Sequence, residues 1–199
     1  MRTVRVIEHI SLDGVIQAPG GPGEDPEGGI DFGGWAAPHH GEEPGAALDR
    51  AQGQGFDLLP ARKTHDIFAG YWPKQAGPMA DSLNAARKIV ATHRSGSLGW
   101  GPVESLGSDL AAGLRTVKAG GVPDLIVWGC STLTPLLISE GLADEVVLLV
   151  FPVMIGRGKR VFPDMVQPGT LKLVDSRAAP SGVIVSTYKP AGAMQTGSF

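Results

Sequence analysis

The stretch Asp124-Leu125-Ile126-Val127-Trp128-Gly129-Cys130-Ser131-Thr132 decides the fold. Its uninterrupted apolar run is too short for a helix and has no polar alternate positions. It therefore reads as a strand buried on both faces, as in a parallel sheet covered by helices. A glycine and small polar residues follow, then a helix through Ile138. That helix starts at Ser131 or, because Pro135 suits a first helical position, at Thr134.

Working outward, the same strand-to-helix alternation recurs. On the N-terminal side, Leu110, Leu114 and Val117 fall at i, i+4 and i+7, one buried helical face. Ser108 or Asp109 caps that helix and Gly120-Gly121 closes it. Strands are expected at Thr3 to Ile10, Phe56 to Pro60, Lys88 to Ala91 and Val103 to Leu106. Glu8 and His9 interrupt the first, so its end should be less buried. Helices are expected from Glu42 to Gln54, with Ala46, Ala47, Leu48 and Ala51 inward, and from Arg62 to Phe68, with a further turn at Asp81 to Ala86. On the C-terminal side, Val146 to Val153 is a long apolar strand, and Leu171 to Asp175 and Val183 to Tyr188 form an antiparallel pair. Alternation followed by consecutive strands implies an α/β domain with a mostly parallel mixed sheet, antiparallel C-terminal strands and helices on both faces. One domain spans 1–189, and 190–199 is small, polar and expected to be disordered.

Composition narrows the function. With 42% hydrophobic and 19% charged residues the chain is ordinary globular protein, and its net charge of −3 offers no basic stripe for nucleic acid. No apolar run is long enough to cross a membrane. The single cysteine, Cys130, excludes an intrachain disulfide and fits a reducing compartment, so the cytoplasm is expected. His39-His40 lacks ligand spacing and a third partner, so no metal site is expected. Gly156-Arg157-Gly158-Lys159-Arg160 lacks the spacing of a P-loop, and no Gly-x-Gly-x-x-Gly follows the first strand.

Ligands of such sheets bind beyond the carboxyl ends of the parallel strands. Three segments sit there. Gly129, Cys130, Ser131, Thr132 and Leu133 open a helix, where free N–H groups favour a phosphate. Arg62, Lys63 and Thr64 put two cations and a hydroxyl at another helix start. Thr92, His93 and Arg94 follow a strand and could hold a ribose 2′-phosphate. Each alone is also ordinary loop punctuation; together they are three anion-compatible termini at strand ends. The stretch Gln17 to Gly45, rich in glycine and proline, carries the aperiodic anchors Ile30, Phe32 and Trp35. That pattern suits a lid over a ligand, with Trp35 beside the pocket; Glu42, at the start of the following helix, is a fallback acid for a substrate contact, its other reading being a solvated helix face. Asp13, at the base of this loop, is the candidate polar contact or proton relay.

The chain resembles the dihydrofolate reductase-like family, in the branch of the C-terminal reductase domain of the bifunctional riboflavin-biosynthesis protein RibD. The resemblance rests on Ser11-Leu12-Asp13-Gly14, Gly33-Gly34-Trp35, Ala61-Arg62-Lys63-Thr64, Tyr71-Trp72-Pro73, Trp128-Gly129-Cys130-Ser131, and Gly141 to Glu145 leading to Pro152 and Gly156-Arg157-Gly158. It implies the three-layer dihydrofolate reductase-like fold and NADPH. Arg62 to Thr64 and Gly129 to Leu133 match phosphate turns, Thr92 to Arg94 the 2′-phosphate segment, and Asp13-Gly14 the start of the loop over the nicotinamide. It further implies a homodimer paired near the C-terminal strands. Two departures stand out. Pro60-Ala61 replaces the usual glycine before Arg62, and the pterin-gripping pattern is absent, so dihydrofolate reduction is not the expected activity. The expected activity is hydride transfer to a small heterocyclic or carbonyl/imine substrate, similar to 5-amino-6-(5-phosphoribosylamino)uracil reductase. The alternative is an NADP(H)-binding regulatory module without turnover.

Overall fold

The computed structural model describes residues 1–94, 96, 98–163 and 168–198. Among these, eight strands form one sheet in the order β4-β3-β2-β5-β1-β6-β8-β7. Strands β1 (Val4–Ser11), β2 (Asp57–Leu58), β3 (Lys88–Val90), β4 (Val103–Ser105), β5 (Leu125–Trp128) and β6 (Glu145–Phe151) run parallel. Strand β8 (Ile184–Ala193) lies antiparallel to β6, and β7 (Gly169–Ala178) antiparallel to β8 at the edge.

Strand β1 is the centre. Val4 to Ile7 pair with Leu125 to Trp128 on one side, and Arg5 to Ser11 pair with Glu145 to Phe151 on the other. Alternate side chains enter separate cores. Val4 and Val6 pack with Leu114 of α4 (Leu110–Ala119) and Leu133 and Leu137 of α5 (Leu133–Ser139). Ile7 packs with Leu48 of α1 (Glu42–Gln52) and Leu83 of α3 (Pro78–Ala85), while Phe68 of α2 (Arg62–Tyr71) borders the same core. The α/β reading with helices on both faces is therefore the observed architecture.

Differences from the sequence reading have local causes. The end of β1 is not less buried: Glu8 is 0% exposed. Its strand is paired on both edges and covered on both faces. Helix α4 is capped by Asp109, whose carboxylate accepts from Ala112 N at 3.0 Å. Helix α5 begins at Leu133 after Thr132, with Pro135 inside its first turn. Helix α3 starts at Pro78, three residues before the expected Asp81, because proline presets the helical φ after Gly77. Strand β2 is only two residues long, ending before Pro60, which has no N–H to donate. The C-terminal hairpin is longer than expected. Gly169 pairs with Ala193, so residues 190–193 belong to β8 rather than to a disordered tail. Both hairpin strands are largely exposed, which removes the alternation that would have revealed their length.

Two helical glycines should respond oppositely to alanine. At Gly70 of α2 a β-carbon meets nothing within 4 Å, whereas at Gly113 of α4 it would come within 2.5 Å of Leu106 O and 2.8 Å of Leu106 Cγ. Gly70→Ala should raise stability by about 0.5–1 kcal/mol. Gly113→Ala should lower it by about 1–3 kcal/mol, because overpacking exceeds the helix-propensity gain. Urea midpoints at a constant m-value measure both.

Candidate functional site

The structure brings the three sequence-predicted termini together. The ends of β3, β2 and β5 are neighbours in the sheet. Ala61 bridges Ala91, and Arg62 N donates to Ala91 O at 3.1 Å, which sets the Arg62 segment beside the Thr92 segment. Thr64 is buried, and its hydroxyl donates to Gly129 O at 3.2 Å, joining the Arg62 segment to the turn after β5.

Arg62 gives its Nε to both oxygens of Asp66 at 2.9 Å, while its Nη1 is buried and has no hydrogen-bond partner among the described residues. A β-carbon on Gly96 would lie 3.8 Å from that nitrogen, so the loop after Thr92 passes close to it. Thr92 is buried and its hydroxyl accepts from Arg94 N at 3.0 Å, holding the turn. His93 and Arg94 are exposed. Thr92 thus shapes this segment, and the Arg94 side chain is its exposed cation.

In the turn after β5, Gly129 takes φ +44°, left-handed backbone suited to glycine. Cys130 is buried. Its sulfur accepts from Leu133 N at 3.1 Å and lies 3.3 Å from Thr132 Oγ1, so it ties down the start of α5 from inside. Burial pushes its thiol up, away from a reactive thiolate. The Leu133 side chain is core. Only backbone is therefore left at these two positions to meet a ligand, while Ser131 is half-buried and Thr132 exposed.

Sequence reasoning missed Glu8 beneath this turn. Its Oε1 accepts from Thr134 Oγ1 at 2.7 Å and from Cys130 N at 3.3 Å; its Oε2 is buried and has no partner among the described residues. Burial raises its pKa to about 7, against the two hydrogen bonds, which favour the ionised form. The available signal was an acid inside a strand paired on both sides.

The long loop is built by polar contacts. Gln17 Nε2 donates to Asp25 O and Glu27 O. Asp25 and Glu27 each pair with Lys63 and Lys159, at 2.5–2.9 Å. Lys63, expected to face a phosphate, is thus engaged by the chain's own carboxylates. Trp35 is buried, donates Nε1 to Gln17 O at 2.8 Å and packs edge-on against Phe151 at 5.4 Å. Ile30 is also buried, but Phe32 is exposed beside Arg157. Glu42, first residue of α1, is exposed and does not join Trp35 in its aromatic cluster.

Asp13 is a clamp. Its carboxylate accepts from Ser11 Oγ at 2.7 Å, Ile155 N at 3.0 Å and Gly156 N at 2.7 Å, while its own carbonyl accepts from Arg160. Burial works to raise its pKa, but these bonds prevail and hold it at about 2. It is ionised at neutral pH and has no proton to relay. Gly14 beside it takes φ +85° to close the turn.

Two grooves open among the described residues, neither of them lined by the three strand-end segments. One, of about 260 Å³, is lined by Arg5, Arg50, Glu145, Asp175, Arg177 and Thr187 between α1 and the C-terminal hairpin. The other, of about 270 Å³, runs past Gln17, Glu27, Ile30 and Arg157 to Lys159. No group of three or more metal-ligating side chains forms among the described residues. No helix among them is long and apolar enough to cross a membrane.

Residues 2–185 match the family model of the RibD C-terminal domain. Over 136 residues the chain is 26% identical to the uncharacterized protein YyaP of Bacillus subtilis, covering 66% of this chain and 72% of that one. Two solved structures share the fold. A putative riboflavin biosynthesis protein from Shewanella superposes with a TM-score of 0.61 at 17% identity, over 95% of this chain and 99% of that one. A pyrimidine reductase-like protein from Corynebacterium diphtheriae gives 0.61 at 15% identity, over 96% and 92%.

Glu8 makes stability depend on pH. Its carboxyl is raised in the folded state, so the folded protein holds a proton that the unfolded chain releases from about 4.5 upward. The associated stability is complete below that value and is lost as pH rises through about 7. Glu8→Gln removes this slope. Relative to the parent, the variant should gain up to about 3 kcal/mol between pH 4.5 and 8. Parallel pH profiles for the two proteins, measured by urea unfolding, would refute this.

Proposed function

Because the chain belongs to the RibD C-terminal domain family, we propose that it is an NADPH-dependent reductase acting on a small heterocyclic or carbonyl/imine substrate, similar to 5-amino-6-(5-phosphoribosylamino)uracil reductase. The observation that carries this reading is the contiguity of the three anion-compatible strand ends, joined by the Ala61–Ala91 bridge and the Thr64–Gly129 hydrogen bond. Its supports are the putative riboflavin biosynthesis protein and the pyrimidine reductase-like protein that share the fold.

The residues fit a dinucleotide. Arg62 Nη1, buried and without a partner among the described residues, is a donor that a phosphate oxygen would satisfy. Gly129, with its left-handed backbone, permits close approach. Arg62, Thr64, Arg94 and the backbone of Gly129 to Thr132 would hold the phosphates. NADPH, when bound, supplies a hydride. The chain's own work would be to position both ligands and exclude water, a role supported for the Gln17 to Gly45 segment by Trp35, which packs on Phe151 at the end of β6. One observation favours the rival reading, a binding module without turnover: Asp13, the acid nearest the loop base, is held ionised. The reductase reading also places the protein in the cytoplasm as a two-fold homodimer, paired through the exposed hairpin where Leu173, Val174 and Ile184 are unshielded.

Arg94 should discriminate between cofactors. Loss of one charge-assisted contact costs about 1.5–3 kcal/mol, so Arg94→Ala should weaken NADPH at least tenfold and leave NADH nearly unchanged in fluorescence titrations. Equal weakening of both removes Arg94 from the 2′-phosphate site. NADPH binding without oxidation across a panel of pyrimidines, pteridines and imines would favour the module. For assembly, sedimentation should give a dimer mass that falls on Leu173→Lys; a concentration-independent monomer would refute the pairing.

A further inference from the structure

We propose that His9, walled by Trp128 and Phe151 and covered by His40, makes the specifying hydrogen bond to a planar, uncharged heteroaromatic substrate. The inference rests on the reductase reading above and names the substrate side of that site.

His9 lies near the carboxyl end of β1, between the ends of β5 and β6. Alternation along β1 sends Glu8 toward α5, where Thr134 and the Cys130 amide meet it. His9 points to the other face, among aromatic rings. Its ring centroid is 5.2 Å from Phe151, 5.7 Å from Trp128 and 5.8 Å from His40. Trp35 and His39 also stack edge-on against Phe151, at 5.4 and 6.3 Å.

Such walls favour a flat ring system. The polar atom among them is unserved: His9 Nε2 is buried and has no hydrogen-bond partner among the described residues. A group of this kind normally finds a partner in a packed protein, and its absence marks a place for a ligand atom. The cover is a side chain rather than a core element, since His40 is exposed just after the short helical turn at Ala37–His39. A shift of that side chain opens the face of His9 while β1 stays fixed.

The chemistry selects the ligand class. Burial, aided by neighbouring His40, lowers His9 to about 3, so its imidazole is neutral at physiological pH. A neutral imidazole has one N–H donor and one acceptor nitrogen, so its Nε2 serves as either according to the tautomer, matched to a ring carbonyl or a ring N–H, and the ring has no charge for a phosphate. Anionic groups are served by the Arg62 and Arg94 strand ends instead. One site thus divides into a cationic end and a neutral aromatic end.

The test uses the whole chain and 5,6-diaminouracil as the probe, titrated by calorimetry with NADPH titrated separately. His9→Phe keeps the ring and removes the hydrogen bond. It should weaken the probe about tenfold and NADPH less than twofold; His9→Asn should recover most of the probe affinity. Unaltered probe affinity in His9→Phe, or no probe binding to the parent protein, overturns the proposal. Should His9→Phe not fold, the parent decides. The His9 imidazole ¹⁵N resonances should move on probe addition, and unmoved resonances at saturation overturn the contact. Probe binding that depends on His9, without any NADPH binding, would end the reductase reading and leave the His9 contact standing.

Discussion

Strand β1 is paired along both edges and covered on both faces, and this constraint governs the molecule. No side chain in its middle can reach water by turning over. Each apolar residue feeds one of two cores, Val4 and Val6 on the α4–α5 side and Ile7 on the α1–α3 side. Each polar one needs a partner inside the protein or a reason to lack it. Glu8 half meets that demand through Thr134 and the Cys130 amide, and His9 does not meet it at Nε2. Two adjacent polar residues in such a strand are costly, and both fall where the parallel strands end.

Those strand ends are held in register by short contacts of low sequence locality. Thr64 to Gly129 spans 65 residues, and Glu8 to Thr134 spans 126. The Asp13 carboxylate bonds to Ile155 N and Gly156 N, across more than 140 residues. The turn after β1 and the segment after β6 are therefore tied directly to one another. A carboxylate satisfied by several donors resists protonation and displacement alike, which makes Asp13 a fixed point for the loop rather than a moving part of chemistry.

How much of this was legible depends on range. The alternation of strands and helices is a local pattern, so the α/β class and its two covered faces could be read from Leu125 to Trp128 and from Leu110, Leu114 and Val117. Arg62, Thr64 and Gly129 were legible as strand-end residues because glycine, hydroxyl and cation at a helix start have a local physical meaning. The roles of Lys63 and Asp13 were not, because their partners lie 36–38 and 142–143 residues away. Nor was the length of the hairpin: an edge pair exposed on both sides has no buried face to print a period on the sequence. His9 and Glu8 were visible only as irregularities in an apolar strand. Read as a sign of exposure, Glu8 meant the opposite, while His9 is half-buried.

The loop acids add an energetic argument about anion binding at Lys63. Glu27 is more than half exposed, and an exposed ion pair is worth about 0–1 kcal/mol, so a phosphate can replace it cheaply. Asp25 is different: its side chain is only 9% exposed and shared between Lys63 and Lys159. Removing both lysines would leave a largely buried carboxylate unpaired, which is far more costly than losing a surface pair. Lys159 keeps Asp25 company whatever Lys63 does. The arrangement therefore separates two tasks within one cluster. The Asp25–Lys159 pair anchors the loop to the segment after β6, while Lys63 can exchange Glu27 for another anion without loosening that anchor.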